Sequence, residues 1–178
     1  MHRIVATVTS LEQHLRLLVS APDWYRPLAC PHCGLGKLWR HGCYPRKAER
    51  GAGASATRNP VPIPRFFCPG CQRTCSRLPL CIAPRRWYDW AIQQRALCCL
   101  AAGGSLHAAA RSSQVARHTA RRWGAWLTER GEQFAFFLRS RFPDWGRISD
   151  RVAFWRARLT QHPLAELMAW LERDLIVP

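Results

Sequence analysis

Apolar positions along this chain fall into two regimes. Leu11, Leu15 and Leu18 recur at helical spacing behind Ser10, a residue type that caps helices, and predict one short amphipathic helix. From about residue 27 to residue 84 the rhythm changes. Runs at 37–44 and 61–67 read as extended segments, separated by a basic, Gly/Ala/Ser-rich loop over 46–60. Beyond residue 84 the pattern turns helical. Residues 87–102 form an apolar stretch that Gly103 and Gly104 stop, and 105–126 predict two further short helices. Residues 134–178 predict about three more, broken at Pro143 and Pro163. The expected fold class is α+β, a small β module followed by a mostly α-helical region, divided as 1–22, 23–84, 85–130 and 131–178.

Composition narrows the class. Of 178 residues, 48% are hydrophobic, enough for a core. The longest purely apolar run, 96–102, is about seven residues, against the roughly 20 of a membrane-spanning helix, so no membrane partner is expected. The charge is the stronger signal: 27 Lys and Arg against 11 Asp and Glu give a net +16. So basic a chain repels itself and is most easily explained by a polyanionic partner, nucleic acid first. The N-terminal stretch meets Glu12 before any cleavage-like site, so a secretory signal is not expected. The nine Cys are then expected to be reduced and cytoplasmic, and their odd number fits metal better than a disulfide framework.

Cys30-Pro-His-Cys33-Gly and Cys68-Pro-Gly-Cys71 are two CxxC turns with 34 residues between them. Each such turn offers two thiolates on one tight loop, and two turns supply the tetrahedron of a structural zinc ion. Gly34 after the first turn and Gly70 inside the second let the loops close. The expectation is a zinc ribbon holding one ion on Cys30, Cys33, Cys68 and Cys71, with no open coordination position. His41 is the alternative ligand. The remaining Cys43, Cys75, Cys81, Cys98 and Cys99 read as small buried hydrophobes.

The run from Ser105 to Trp123 holds the second motif. Ser105 caps a short helix whose Leu106, Ala109 and Ala110 face inward, small enough for another helix to cross closely. A polar turn at 112–114 leads to a helix burying Ala120, Trp123 and Leu127 and leaving Arg117, His118, Arg121 and Arg122 outside. That is the pattern of a helix-turn-helix, whose second helix enters the DNA major groove. Arginine forks pair with guanine edges or phosphates. A solvated cationic face on an ordinary helical hairpin is the plainer reading.

The sequence CPHCG, RHGCYPR, VPIPRFFCPGCQRTCSRLP, GGSLHAAAR and RHTARRW, over roughly residues 20–130, resembles the front end of bacterial insertion-sequence transposases. In that family a zinc ribbon precedes a helix-turn-helix, and both bind the terminal inverted repeats. The chain also resembles short stand-alone proteins of this layout found near mobile elements. The resemblance implies metal ligation by Cys30, Cys33, Cys68 and Cys71 and a recognition helix carrying Arg117, His118, Arg121 and Arg122. It departs at the turn, where Gln114 and Ala116 stand in place of the usual Gly and the usual Ser or Thr cap. It also lacks length for the catalytic domain: after residue 130 about 48 residues remain, too few for a sheet holding three metal-binding carboxylates. Glu132, Asp144, Asp150, Glu166, Glu172 and Asp174 therefore read as surface ion pairs, and no enzyme is expected.

The nine Trp divide between core and surface. Trp87, Trp90, Trp123 and Trp126, at helical spacing, read as core, while Trp39 beside Arg40 and His41 is a candidate nucleic-acid contact. Trp155 and Trp170, with Phe154, Leu159, Leu164, Leu167 and Leu171, make an apolar face on the last two helices. That face either closes over the helical module or serves a homodimer or protein partner. The expected function is a non-catalytic, zinc-containing, double-stranded DNA-binding protein, cytoplasmic and nucleoid-associated: a transposase-like accessory, regulator or truncated transposase. The alternatives are a ribbon protein that binds RNA or single strands, and a protein-interaction adaptor.

Overall fold

Ser10 does cap a helix. Its Oγ accepts from the Gln13 backbone N–H at 3.1 Å, and the Gln13 side chain reaches back to the Thr9 N–H at 3.0 Å. Helix α1 (Leu11–Ser20) follows, then a single 3-10 turn at Pro22–Tyr25. The computed structural model describes residues 4–47, 60–83 and 88–172. Residues 48–59 of the expected loop, and Trp87, lie outside the described residues. The chain is α+β and forms two units, one running to Asp89 and one beginning at Trp90.

In the first unit, β2 (Trp39–Arg46) and β3 (Val61–Phe67) pair antiparallel, and β4 (Thr74–Cys75) adds to the far side of β3. A register shift between Arg40 and Cys43, with Gly42 at φ +70, bulges the edge strand β2. On β3, Val61, Ile63 and Phe66 are buried, whereas β2 is exposed along most of its length. A two-residue parallel pair, β1 (Ile4–Val5) with β5 (Leu78–Pro79), ties the N-terminal segment to this unit. Residues 4–22 thus belong to the β unit.

Among the described residues, two apolar clusters pack in this unit. One joins Val5, Val8, Tyr25, Leu38 and Phe66 to Cys30, Cys68 and Cys75; the other joins Leu11, Val61, Ile63, Leu78 and Ile82. Between α1 and β3 lies a polar core device that the sequence did not announce. His14 is fully buried, with Nε2 3.0 Å from the Pro62 carbonyl and Nδ1 2.6 Å from the Tyr25 hydroxyl. A carbonyl only accepts, so Nε2 carries the proton and Nδ1 accepts from Tyr25. Burial lowers the His14 pKa against the opposing pull of Pro62, so the ring stays neutral.

The second unit is all helical: α2 (Trp90–Ala101), α3 (Leu106–Ser113), α4 (Arg117–Arg141), a 3-10 turn at Pro143–Arg147, α5 (Arg151–Gln161) and α6 (Leu164–Leu171). Ala109, Ala110 and Ala120 make the close crossing of α3 and α4, with Cys99, Leu100 and Val115 packed around them. The turn between these helices forms despite its chemistry. Gln114 sits at φ 54 and ψ 43, and the Val115 N–H returns to the Ala110 carbonyl at 3.0 Å, as in a Schellman motif. Ala116 caps α4 with no side-chain bond.

A left-handed non-glycine residue costs about 1 kcal/mol. An empty N-cap costs about as much. Gln114→Gly and Ala116→Ser should therefore each raise the melting temperature of the helical unit by several degrees, measured by circular dichroism. A lower value for Gln114→Gly would rule out the left-handed turn.

Helix α4 corrects the expected outline. It continues unbroken through Gly124 and Gly131 to Arg141, across the boundary expected at 130. Both glycines serve close approach and do not break the helix. A Cβ at Gly124 would stand 3.0 Å from a Leu100 methyl, and one at Gly131 would stand 3.1 Å from Trp155 Nε1. That Nε1 donates to the Gly131 carbonyl at 3.0 Å.

The apolar face of α5 and α6 turns inward. Phe154, Trp155, Leu159, Leu164, Leu167 and Leu171 are all at most 2% exposed, and both helices pack on α2 and α4. Gln94 ties the break at Pro163 from inside. Its amide donates to the Leu159 and His162 carbonyls at 2.6 and 3.0 Å and accepts from the Leu164 N–H at 2.7 Å. One side chain so satisfies the end of α5 and the start of α6.

Candidate functional site

Both CxxC turns are built by the same backbone device. The Cys30 N–H bonds the Leu35 carbonyl at 2.7 Å, and the Cys68 N–H bonds the Arg73 carbonyl at 2.9 Å, closing two equivalent loops. Each loop needs a left-handed residue just after its second Cys. In the first turn this is Gly34 at φ 78, as expected; in the second it is Gln72 at φ 56, not Gly70. Gly70 has a different task. A Cβ there would come within 3.1 Å of the Leu35 side chain and 3.8 Å of the Cys33 and Cys68 sulfurs, so glycine leaves the space between the turns open.

The turns bring Cys30, Cys33, Cys68 and Cys71 together with all four Sγ within 4.8 Å of one another. Cys30 and Cys71 are 3.6 Å apart, and Cys33 and Cys68 are 3.5 Å apart. A disulfide would need about 2.05 Å. A tetrahedral ion with bonds of about 2.3 Å spaces its sulfurs by about 3.8 Å, which these separations approach. Backbone N–H groups point at the sulfurs, including His32 N–H on Cys30 at 3.4 Å, as suits thiolates. Burial raises the Cys30 thiol, but the His32 and Cys33 N–H groups and the thiols of Cys68 and Cys71 outweigh it and bring it down to about 6.

Four adjacent thiols do not all ionise without a cation between them. At Cys33 the Leu35 N–H favours the thiolate, yet the neighbouring Cys68 prevails and the thiol rises to about 12. Cys71 is likewise raised, first by burial. The donor set thus fits a metal ion. His41 is not part of it, since these four sulfurs are the metal-ligating cluster among the described residues. Cys75 lies buried behind them, its thiol raised to about 11 by burial and by Cys30 and Cys68. The reading of the five spare cysteines as buried holds for Cys75 alone: Cys81, Cys98 and Cys99 are half-buried, and Cys43 is exposed on β2.

The basic residues of α4 lie in the helical unit. Arg117, His118, Arg121 and Arg122 are all exposed, and Thr119, Ala120 and Trp123 between them are buried, so one face of the first turns is cationic and the other is core. Leu106 and Leu127, expected inside, are half-buried. Trp90 and Trp123 are core; Trp126 is half-buried beside Phe134. Trp39 is 51% exposed.

The carboxylates after residue 130 mostly pair at the surface. Glu132 meets Arg139 at 3.3 Å, Asp144 meets Arg147 at 3.5 Å, and Glu166 meets His162 at 3.5 Å. Two depart from that expectation: Asp150 caps α5 through the Ala153 N–H at 2.7 Å, and Glu172 is buried. Asp174 lies outside the described residues. No helix among the described residues is long and apolar enough to cross a membrane.

No curated protein and no solved structure shows significant similarity to the chain. One family model does match, over residues 30–123, from the first of the four clustered cysteines to the tryptophan that anchors the basic helix. Since that span is more than half of the sequence, the chain belongs to the DUF6431 family, described as a domain of unknown function.

Proposed function

We propose that this is a non-catalytic, zinc-containing protein that binds double-stranded DNA, an accessory, regulator or truncated relative of insertion-sequence transposases. The observation that carries the reading is the start of α4: four exposed basic residues, Arg117, His118, Arg121 and Arg122, directly after a short helix and a left-handed turn. A helix so presented suits the major groove, with arginines reaching base edges and phosphates. The net charge of +16 supplies the salt-dependent, sequence-independent part of the affinity. Zinc is the metal that four cysteine thiolates select most readily, and four protein ligands make the site structural. The matched family span joins the cysteine turns and this helix in one segment, which favours their acting together.

The test is binding of the metal-loaded protein to duplex fragments from around its own gene, against random competitor, across a salt series. One fragment that remains bound near 150 mM salt is the expected result. Arg121→Ala should weaken that complex by about 1–3 kcal/mol while changing random-duplex binding far less. An equal loss on every duplex would make Arg121 a phosphate contact.

A second reading has its own observation. Trp39 lies 6.2 Å from the Phe67 ring and His41 lies 5.8 Å from it, an aromatic patch on the exposed edge of the sheet. From Cys30 to Ala83 the sequence holds nine Lys and Arg against one acid, Glu49. Aromatic rings in a cationic setting stack unpaired bases. Single strands competing as well as duplex, with Trp39→Ala abolishing the competition, would favour this reading.

A further inference from the structure

The helical unit contains a cavity of about 360 Å³ that neither the metal site nor the basic helix face requires. It lies among α2, the start of α3, α4 and α5, with walls from Leu97, Leu100, Leu106, Leu127 and Trp155. Its volume falls in the range of about 300–1,000 Å³ typical of small-molecule sites. The polar end of Trp155 is occupied, since its Nε1 donates to the Gly131 carbonyl, so the indole contributes apolar ring surface. The charged groups in the lining are two guanidiniums, Arg121 and Arg151, and no carboxylate lines the cavity. Arg151 spends one N–H on the Thr128 carbonyl at 3.1 Å. Arg121 makes no hydrogen bond or ion pair among the described residues.

We propose that this cavity binds a small organic acid with an apolar body, its carboxylate held by Arg121 and Arg151 and its aliphatic or aromatic part against the leucines and Trp155. Apolar walls alone would admit any hydrophobe. Two guanidiniums and no carboxylate in the lining favour an anion over its neutral isostere, since hydrogen bonds from a charged donor to a carboxylate are the stronger ones. One consequence rests on the DNA reading: Arg121 serves both the cavity and the proposed DNA face. An acid bound there neutralises a DNA-contacting charge, so acid and duplex weaken each other by the same factor.

The probe is decanoate, below its micellar range, titrated into the full-length, metal-loaded chain and followed by amide chemical shifts. Saturable shifts confined to residues 97–106, 121–128 and 151–155 are expected, with decanol at least about tenfold weaker, or about 1.4 kcal/mol. Ala125→Trp, which fills the cavity, should abolish binding of both. Val152→Asp, at a rim residue that is 47% exposed, should weaken decanoate about tenfold and leave decanol unchanged, and it keeps the test open if Ala125→Trp fails to fold. Decanol binding as tightly as decanoate, or shifts that neither variant alters, would overturn the site. Saturating decanoate should also raise the dissociation constant for duplex DNA about threefold or more. If no duplex binds under any condition, the DNA reading fails while the decanoate titration still decides the cavity. If duplex binds but ignores decanoate, the shared role of Arg121 is overturned.

Discussion

Removal of the metal by a chelator, or replacement of Cys33 by serine, is expected to unfold the β unit. The three-stranded sheet is small, and its largest apolar cluster includes Cys30, Cys68 and Cys75 themselves. Structural zinc in modules of this size contributes about 10–16 kcal/mol of apparent binding free energy, comparable with the whole net stability of a domain at about 5–15 kcal/mol. Cys33 makes the sharpest probe because it is exposed. An exposed thiol with no ligand role tolerates serine within about 0.5 kcal/mol. Cys43, also exposed and in the same unit, supplies the control: Cys43→Ser should keep both the metal and the melt. Metal content by atomic spectroscopy and thermal melts by circular dichroism settle the matter together. Retained metal with an unchanged melt in Cys33→Ser would remove Cys33 from the ligand set.

The cysteine tetrad was legible in the sequence because CxxC is a local device. Two thiols three residues apart share a turn wherever the rest of the chain goes. The helix before the Gln114 turn was legible for the same reason, with its Ser105 cap and its alanines at crossing positions. What escaped depends on contacts distant in sequence. Gly70 is needed because Leu35, from the other turn, lies within 3.1 Å of where its Cβ would stand, and the left-handed position that closes the second loop falls on Gln72 instead. Gly131 lies inside a helix rather than at its end because Trp155, 24 residues away, packs on its backbone. His14 carries no local signal of its role. Its partners, Tyr25 and the Pro62 carbonyl, come from two other elements and make it core. The cavity beside Arg121 needs four helices to exist, so no spacing in the sequence announces it.

Truncation after Arg141 is expected to unfold the helical unit and abolish duplex binding with it. From the sequence, the apolar face of the last two helices was free either to close over the helical module or to serve a partner. The packing argues otherwise. Phe154, Trp155, Leu159, Leu164, Leu167, Met168 and Leu171 are buried, and their burial contributes roughly 10–20 kcal/mol at about 1.5–3 kcal/mol per side chain. Their loss would bare Leu97 on α2 and Phe134 and Leu138 on α4, each at most 2% exposed in the whole chain. It would also leave Gln94 without the Leu159, His162 and Leu164 backbone groups, and Ala101 without the Arg156 N–H at 3.1 Å. Helix α3 and the first turns of α4 pack on α2 and share its fate, so the basic face loses the support that orients it. The measurement is a melt and a duplex titration of residues 1–141 beside the full chain. A cooperative melt in the helical signal with unweakened duplex binding would show that the basic face needs only the first three helices, and would return the C-terminal pair to the role of an interaction element.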